Sequence, residues 1–237
     1  MGIYGAFYPS ANARLIYEIY AVNGFHDGII EGSDEGIRIA SGRHNIEDNN
    51  NSPAFTGRIA YSPLPSAEVG VSWRVGHYNK SRLEDLDVDE SRSAKIYAFD
   101  WEGTRGRFHV VGVYARASID LSASLAGSIY ADSQDGLYAQ ASAGFGRGWL
   151  TQLPGLSFEG VLRYDRVDFD RSIEGEQVTQ WGIGLNFKPV SDAAFKLNYF
   201  KKRARDRNKV SGRGAGVLFS LATYFYRSDS KWLKGFC

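Results

Sequence analysis

Gly214-Ala-Gly-Val-Leu-Phe-Ser-Leu-Ala-Thr-Tyr-Phe225 alternates with a period of two. Val217, Phe219, Leu221, Thr223 and Phe225 fall on one face, and Gly216, Leu218, Ser220, Ala222 and Tyr224 on the other. The first face is mostly large and apolar, the second smaller and more polar. This is the pattern of a strand that is wet on one side only. In a water-soluble protein the apolar side meets a second layer. In a transmembrane barrel it meets lipid.

The remaining composition narrows that choice. The chain has 237 residues, with 14 Tyr, 14 Phe, 5 Trp and 27 Gly, a mixture suited to strands and their turns. A net charge of +1 gives no field that selects nucleic acid. Mean hydropathy is −0.33, and no apolar run reaches the length of a membrane-crossing helix. Barrel strands escape such averages, because half of their residues are polar. Cys237 is the single cysteine, which excludes an intrachain disulfide or thiolate metal cluster. Met1 is followed by Gly-Ile-Tyr-Gly-Ala-Phe-Tyr, without a basic n-region or long apolar core, so the sequence shows no signal peptide.

Twelve segments read as strands: 2–8, 15–23, 36–42, 55–62, 68–77, 95–101, 108–117, 136–147, 156–169, 177–188, 193–203 and 214–225. The segment 68–77 is clean, with Val69, Val71, Trp73 and Val75 against Glu68, Ser72 and Arg74. So is 177–188, with Trp181, Ile183, Leu185 and Phe187 against Gln180, Asn186 and Lys188. The segment 108–117 is apolar on both faces and leaves its own phase open. No helical period of useful length occurs, which argues against α/β folds. Connections alternate short and long, as at the two rims of a transmembrane barrel. The expected fold is therefore all-β: an antiparallel up-and-down transmembrane β-barrel of about 12 strands over 1–225, followed by an unstructured tail, 226–237. Its first strand is expected to pair with its last, since bare strand edges are costly in lipid.

Catalytic motifs are missing. No Gly-x-Ser-x-Gly elbow or phosphate-cradling loop occurs. His26, His44, His77 and His109 have no metal-ligand spacing, and the acidic run Glu84–Glu90 reads as a solvated loop. The expectation is a protein that is not an enzyme and holds no cofactor or metal. An outer-membrane enzyme would need a Ser–His pair at the rim.

The polar rows carry the candidate function. Opposite the apolar rows lie Arg38, Arg58, Arg74, Arg163, Lys188, Lys196 and Lys202, together with Glu18, Glu68, Asp100, Glu159 and Asp165. In a barrel these line a hydrated channel, and the excess of cations predicts a slight anion preference. In the alternative, a soluble lectin-like sandwich that binds through its aromatics, they face water while Trp73, Trp181 and Leu197 share an interior. Tyr61, Trp73, Trp101, Trp149, Trp181, Tyr199 and Phe225 stand where interfacial girdles would run.

Several stretches, in order, resemble the phosphate-selective porin O/P family of Gram-negative outer-membrane porins. They are Leu15-Ile-Tyr-Glu-Ile-Tyr-Ala-Val-Asn-Gly24, Glu47-Asp-Asn-Asn50, Gly57-Arg-Ile-Ala-Tyr-Ser-Pro63, Val69-Gly-Val-Ser-Trp73, Phe99-Asp100, Gly136-Leu-Tyr-Ala-Gln140, Leu162-Arg-Tyr-Asp165 and the strand ending at Phe225. The resemblance implies a sixteen-strand barrel in the bacterial outer membrane, homotrimeric when complete, that passes small solutes or anions by diffusion. It implies that this chain is a C-terminal fragment. It also implies that Phe219, Leu221, Thr223 and Phe225 form the signal read by the barrel assembly machinery. Phosphate-binding residues of the family find no match here.

Overall fold

The structure is a computed structural model and describes residues 1–26, 28–31, 39, 52–83, 86–87, 89–125, 130–153, 155–190 and 192–223. The strands are β1 (Gly2–Phe7), β2 (Arg14–Asn23), β3 (Pro53–Leu64), β4 (Ala67–His77), β5 (Arg82–Leu83), β6 (Leu86–Asp87), β7 (Ser93–Arg105), β8 (Phe108–Ile119), β9 (Ser133–Phe145), β10 (Ser157–Asp168), β11 (Gln177–Val190), β12 (Ala193–Arg205) and β13 (Ser211–Thr223). One helical turn, α1 (Gly28–Glu31), follows β2. All strands but β5 and β6 form one 11-stranded antiparallel sheet in sequence order. The β5–β6 pair is a separate small hairpin in the connection after β4. No helix among the described residues is long and apolar enough to cross a membrane, which says nothing about strands.

Period-two patterning sets the faces, and pairing keeps them in phase from strand to strand. One row runs Leu15, Tyr61, Val69, Trp101, Gly112, Ala139, Tyr164, Trp181. β8 is apolar on both faces, so its own sequence leaves its phase undetermined. Its ladders with β7 and β9 decide it, placing Phe108, Val110 and Tyr114 on the apolar face. The short connections 65–66, 106–107 and 191–192 lie at one end of the sheet, together with 8–13 and 146–156. The longer connections 24–52, 78–92, 120–132, 169–176 and 206–210 lie at the other. Two strands bend near the short-turn end. Ladder shifts between Tyr61 and Leu64 and between Phe187 and Val190 surround Pro63 and Pro189, which have no N–H to donate.

Burial runs against the usual order. On β3, Ala54 is 0% exposed and Ala60 1%, while Phe55 is 56% and Ile59 45% exposed. Trp181 and Leu197 are exposed as well, so the apolar rows do not share an interior. Small and polar side chains crowd one face, and large apolar ones stand out from the other. The sheet thus curls around its polar side.

One expectation is corrected and another lies largely outside the described residues. β2 pairs directly with β3, and of the expected strand 36–42 only Ile39 is described. Ile39 packs against a loop cluster. Among the described residues the sheet has eleven strands. Among the described residues the sheet does not close: β1 pairs only with β2, and β13 only with β12. The odd count explains part of this. In a meander of 11 strands the first and last run the same way, so they cannot continue the antiparallel ladder. β1 is also too short, with 6 residues facing the 13 of β13. Phe225 and the tail 226–237 lie outside the described residues.

Close approach across the apolar face depends on glycine. The Trp101 indole lies over Gly112 of the neighbouring strand, where a Cβ would also stand 2.7 Å from the Tyr138 carbonyl oxygen. Trp73 covers Gly57 in the same manner. Gly112→Val forces the indole off its rotamer and crowds the β8–β9 ladder. It should lower stability by about 1–3 kcal/mol, read as a lower urea midpoint with unchanged strand content by circular dichroism.

Candidate functional site

Pairing places Arg58, Arg74, Asp100, Glu159, Arg163, Lys188, Lys196 and Lys202 on the polar face, as the alternation predicts. Arg38 lies outside the described residues. These side chains form separate groups.

The first group bridges four strands. Arg58 Nη2 donates to Asp100 Oδ2 at 2.5 Å and to Glu68 Oε1 at 2.9 Å, and Arg58 Nε donates to Asp100 Oδ1 at 3.3 Å. Arg14 Nη2 and Ser62 Oγ reach Glu68 Oε2 at 3.2 and 2.9 Å. Arg58 on β3 reaches Asp100 on β7 by crossing β4 above Gly70. A Cβ there would lie 2.6 Å from Asp100 Oδ1 and 2.7 Å from Arg58 Nη2. Only a missing side chain leaves room for this fork. Two cations and two anions cancel, so the group is polar without a net charge.

The second group centres on Glu159 of β10. It accepts from Ser142 Oγ at 2.7 Å, Asn186 Nδ2 at 3.1 Å and Lys188 Nζ at 3.1 Å, which ties β9 and β11 to β10. Arg163 pairs with Asp165 at 2.7 Å, and its guanidinium lies 4.6 Å from the Tyr138 ring centroid. Lys196 and Lys202 of β12 differ from these. Among the described residues neither has a carboxylate within ion-pair distance. The uncompensated positive charge of the polar face therefore sits at its C-terminal side.

The sequence reading missed a third element. Phe25, Ile29, Tyr78, Ala94 and Ile119 form a buried cluster, with Ile39, Ile96, Leu121 and Tyr130 packed against it. Ala94 and Ile96 belong to the polar face of β7, so connections from the long-loop end fold inward over that face. Arg74 joins them, its guanidinium 4.1 Å from the Phe25 ring and its Nη2 donating to the Asn23 carbonyl at 2.9 Å. Tyr78 is 1% exposed and donates to the Asp120 carbonyl at 2.6 Å. Arg92 holds the same connections, pairing with Asp89 at 3.1 Å and donating to the Leu121 carbonyl at 3.0 Å. The apolar residues Phe25, Ile29 and Ile30 inside an otherwise polar loop are the only sequence signal of this cluster.

The other long connections are stapled at the same end, around a cavity of ≈ 710 Å³. Buried Asp170 accepts from Ser172 N at 3.0 Å and Arg207 Nη2 at 2.8 Å, and Arg171 pairs with Asp135 at 3.0 Å. One Ser–His contact exists there, between Ser91 Oγ and His77 Nδ1 at 2.9 Å. Both side chains are solvent-exposed. A hydrolytic serine needs a sheltered imidazole and backbone donors that converge on an oxyanion. This pair tethers the 78–92 connection to the end of β4. Among the described residues no His, Cys, Asp and Glu group has metal-site geometry.

On the opposite, apolar face, aromatics gather toward both ends. Phe145, Phe158, Phe187 and Phe195 form a row at the short-turn end, with successive ring centroids 5.6, 5.1 and 6.0 Å apart and Trp149 beside it. Tyr164 and Trp181, 4.5 Å apart, mark the long-connection end. Of the terminal-strand residues, Phe219, Leu221 and Thr223 lie on β13, whose outer edge has no partner among the described residues.

Burial pushes the Tyr78 hydroxyl up to about 12, against the pull of Arg92 and with help from Asp120 and Asp89. The ordinary value is 10.0, so the cluster's contribution to stability is complete below pH 10. It should be lost as pH rises to about 12, because only the unfolded chain ionises freely in that window. The melting temperature should therefore fall more steeply over that window in the wild type than in Tyr78→Phe. Parallel profiles would remove Tyr78 from the account.

No family model matches the chain, and the search of curated proteins finds no similar one.

Proposed function

We propose that the chain forms most of the wall of an outer-membrane diffusion channel of the porin type, its apolar face to lipid and its polar face to water. The inverted burial carries this reading. Fully burying one large apolar side chain is worth about 1.5–3 kcal/mol. Leaving such residues exposed to water along eleven strands forfeits on the order of tens of kcal/mol, against a typical net stability of about 5–15 kcal/mol. In a bilayer that exposure costs nothing.

Dimensions agree. A strand of 13 residues such as β7 or β12 spans roughly 40 Å, which a tilt of about 45° reduces to near the thickness of the hydrocarbon core, ~30 Å. Aromatics flank the apolar band at both ends, as girdles do, and connection lengths differ between the two ends. Further strands would close the two bare edges. Antiparallel closure needs an odd number of them, and five would complete the sixteen of the porin O/P type. Small hydrophilic solutes or anions would pass through a channel narrowed by the inward-folded cluster around Tyr78.

Tryptophan fluorescence tests the membrane setting. Protein refolded into phosphatidylcholine vesicles should be quenched by phosphatidylcholine brominated on its acyl chains, through Trp73, Trp101 and Trp181. An unquenched, monodisperse protein in detergent-free buffer overturns the reading. Protein isolated from its natural membrane should give discrete conductance steps in planar bilayers, and silence there removes the channel.

The unpaired lysines set the sign of selectivity. Arg58 is neutralised by Asp100 and Glu68, while Lys196 and Lys202 have no carboxylate partner among the described residues. Lys196→Gln, which removes the same single charge as Arg58→Gln, should shift the reversal potential in a salt gradient toward cations. The shift should exceed that of Arg58→Gln. An equal or larger shift from Arg58→Gln would contradict the charge bookkeeping.

A further inference from the structure

Several cations stand toward the long-connection end of the apolar face, and three of them, Lys201, Arg203 and Arg213, cluster on β12 and β13. Trp181, Lys201 and Ala215 are cross-strand neighbours, and one step toward the long connections come Thr179, Arg203 and Arg213. Lys201, Arg203 and Arg213 are all exposed. With Thr179, Trp181 and Lys202 they line a depression of ≈ 430 Å³.

Arg203 and Arg213 are direct cross-strand partners, and Lys201 is the i−2 neighbour of Arg203 on the same face. Like charges directly opposite each other on paired strands destabilise a sheet. Nearby carboxylates do not relieve this. Asp168 is held by Arg166 at 3.3 Å, and Glu174 by Lys209 at 2.9 Å. Arg205, one register step further out, acts on that same Glu174. Among the described residues Lys201, Arg203 and Arg213 have no ion-pair partner.

The location supplies the missing partner. Below the cluster, Val217, Tyr199, Ile183 and Leu162 continue the apolar band, and Trp181 with Tyr164 marks its edge. Lipid headgroups would stand one residue pair above that aromatic edge. We propose that Lys201, Arg203 and Arg213 dock the phosphate of an anionic lipid headgroup in the leaflet on the long-connection side. The lipid's acyl chains would lie along Trp181 and Tyr199. This rests on the membrane reading above. It adds a lipid preference that a uniform apolar band would not have, because guanidinium forks and an ammonium favour phosphate oxygens.

The test uses the full chain in phosphatidylcholine vesicles containing a minor fraction of phosphatidylglycerol. Either lipid carries the bromine in turn, and Trp181→Phe isolates the Trp181 signal. In the wild type, brominated phosphatidylglycerol should quench Trp181 severalfold more, per mole, than brominated phosphatidylcholine. In Lys201→Gln/Arg203→Gln/Arg213→Gln the ratio should fall to near one, while quenching by brominated phosphatidylcholine stays at the wild-type level and reports intact insertion. Equal quenching by both lipids in the wild type overturns the headgroup site and leaves the membrane reading standing. So does a ratio that survives in the triple variant. If the triple variant fails to insert, the single Arg213→Gln, at the outer strand, replaces it under the same criteria. Loss of the preference on adding millimolar inorganic phosphate at constant ionic strength would make the cluster a site for free phosphate, and overturn the lipid assignment. Absence of quenching by either lipid is the separate failure of the membrane reading.

Discussion

Everything in this sheet depends on the backbone hydrogen-bond ladder, because its side chains do not form a conventional core. Ten ladders join eleven strands, each between sequence neighbours. The residues that would normally drive collapse point away from the crowded side. What crowds that side is small or polar: Ala54, Ala60, Ser62, Ser142. In water such a face lacks the apolar area to balance chain entropy. In the proposed bilayer the balance is different, since an unpaired N–H or C=O in hydrocarbon costs several kcal/mol and the ladder itself becomes the cohesive element.

Given that ladder, the polar face needs charges that satisfy one another. The Arg14–Glu68–Arg58–Asp100 chain and the Glu159 group do so across neighbouring strands, and glycine makes the first possible. Gly70 leaves room on β4 for the fork to cross from β3 to β7. On the other face the same residue type serves aromatic cover, with Trp101 over Gly112. The two faces therefore use glycine for opposite purposes: to admit charge on one and to seat an indole on the other.

Period-two alternation made the sheet legible, because one face per strand is uniformly large and apolar. Among the described residues eleven of the expected strands occur, most of them where that alternation is clean, and eight of the nine pore-lining candidates fall on the polar face, with Arg38 outside the described residues. Their proposed role in a channel is a further step that placement alone does not make. Three features were not legible, for different reasons. β8 is apolar on both sides, so its phase comes from its partners. The segment 36–42 has a short alternation, but strand order is a tertiary property, and β2 meets β3 directly. Closure depends on strand parity, which a change of one strand reverses. The Tyr78 cluster was hidden because it joins residues of separate, on average polar connections to the ends of β7 and β8.

One consequence follows from the purely sequential strand order. Since each strand pairs only with the next strand of the sheet, the hairpin is the smallest unit that restores strand direction. Inserting or deleting one hairpin leaves every other connection at its original rim, whereas changing a single strand sends the connections of all that follow to the opposite rim. Such a wall varies in circumference by twos. Its evolutionary step is the duplication or loss of a pair, and a piece cut at any hairpin boundary keeps a self-consistent register.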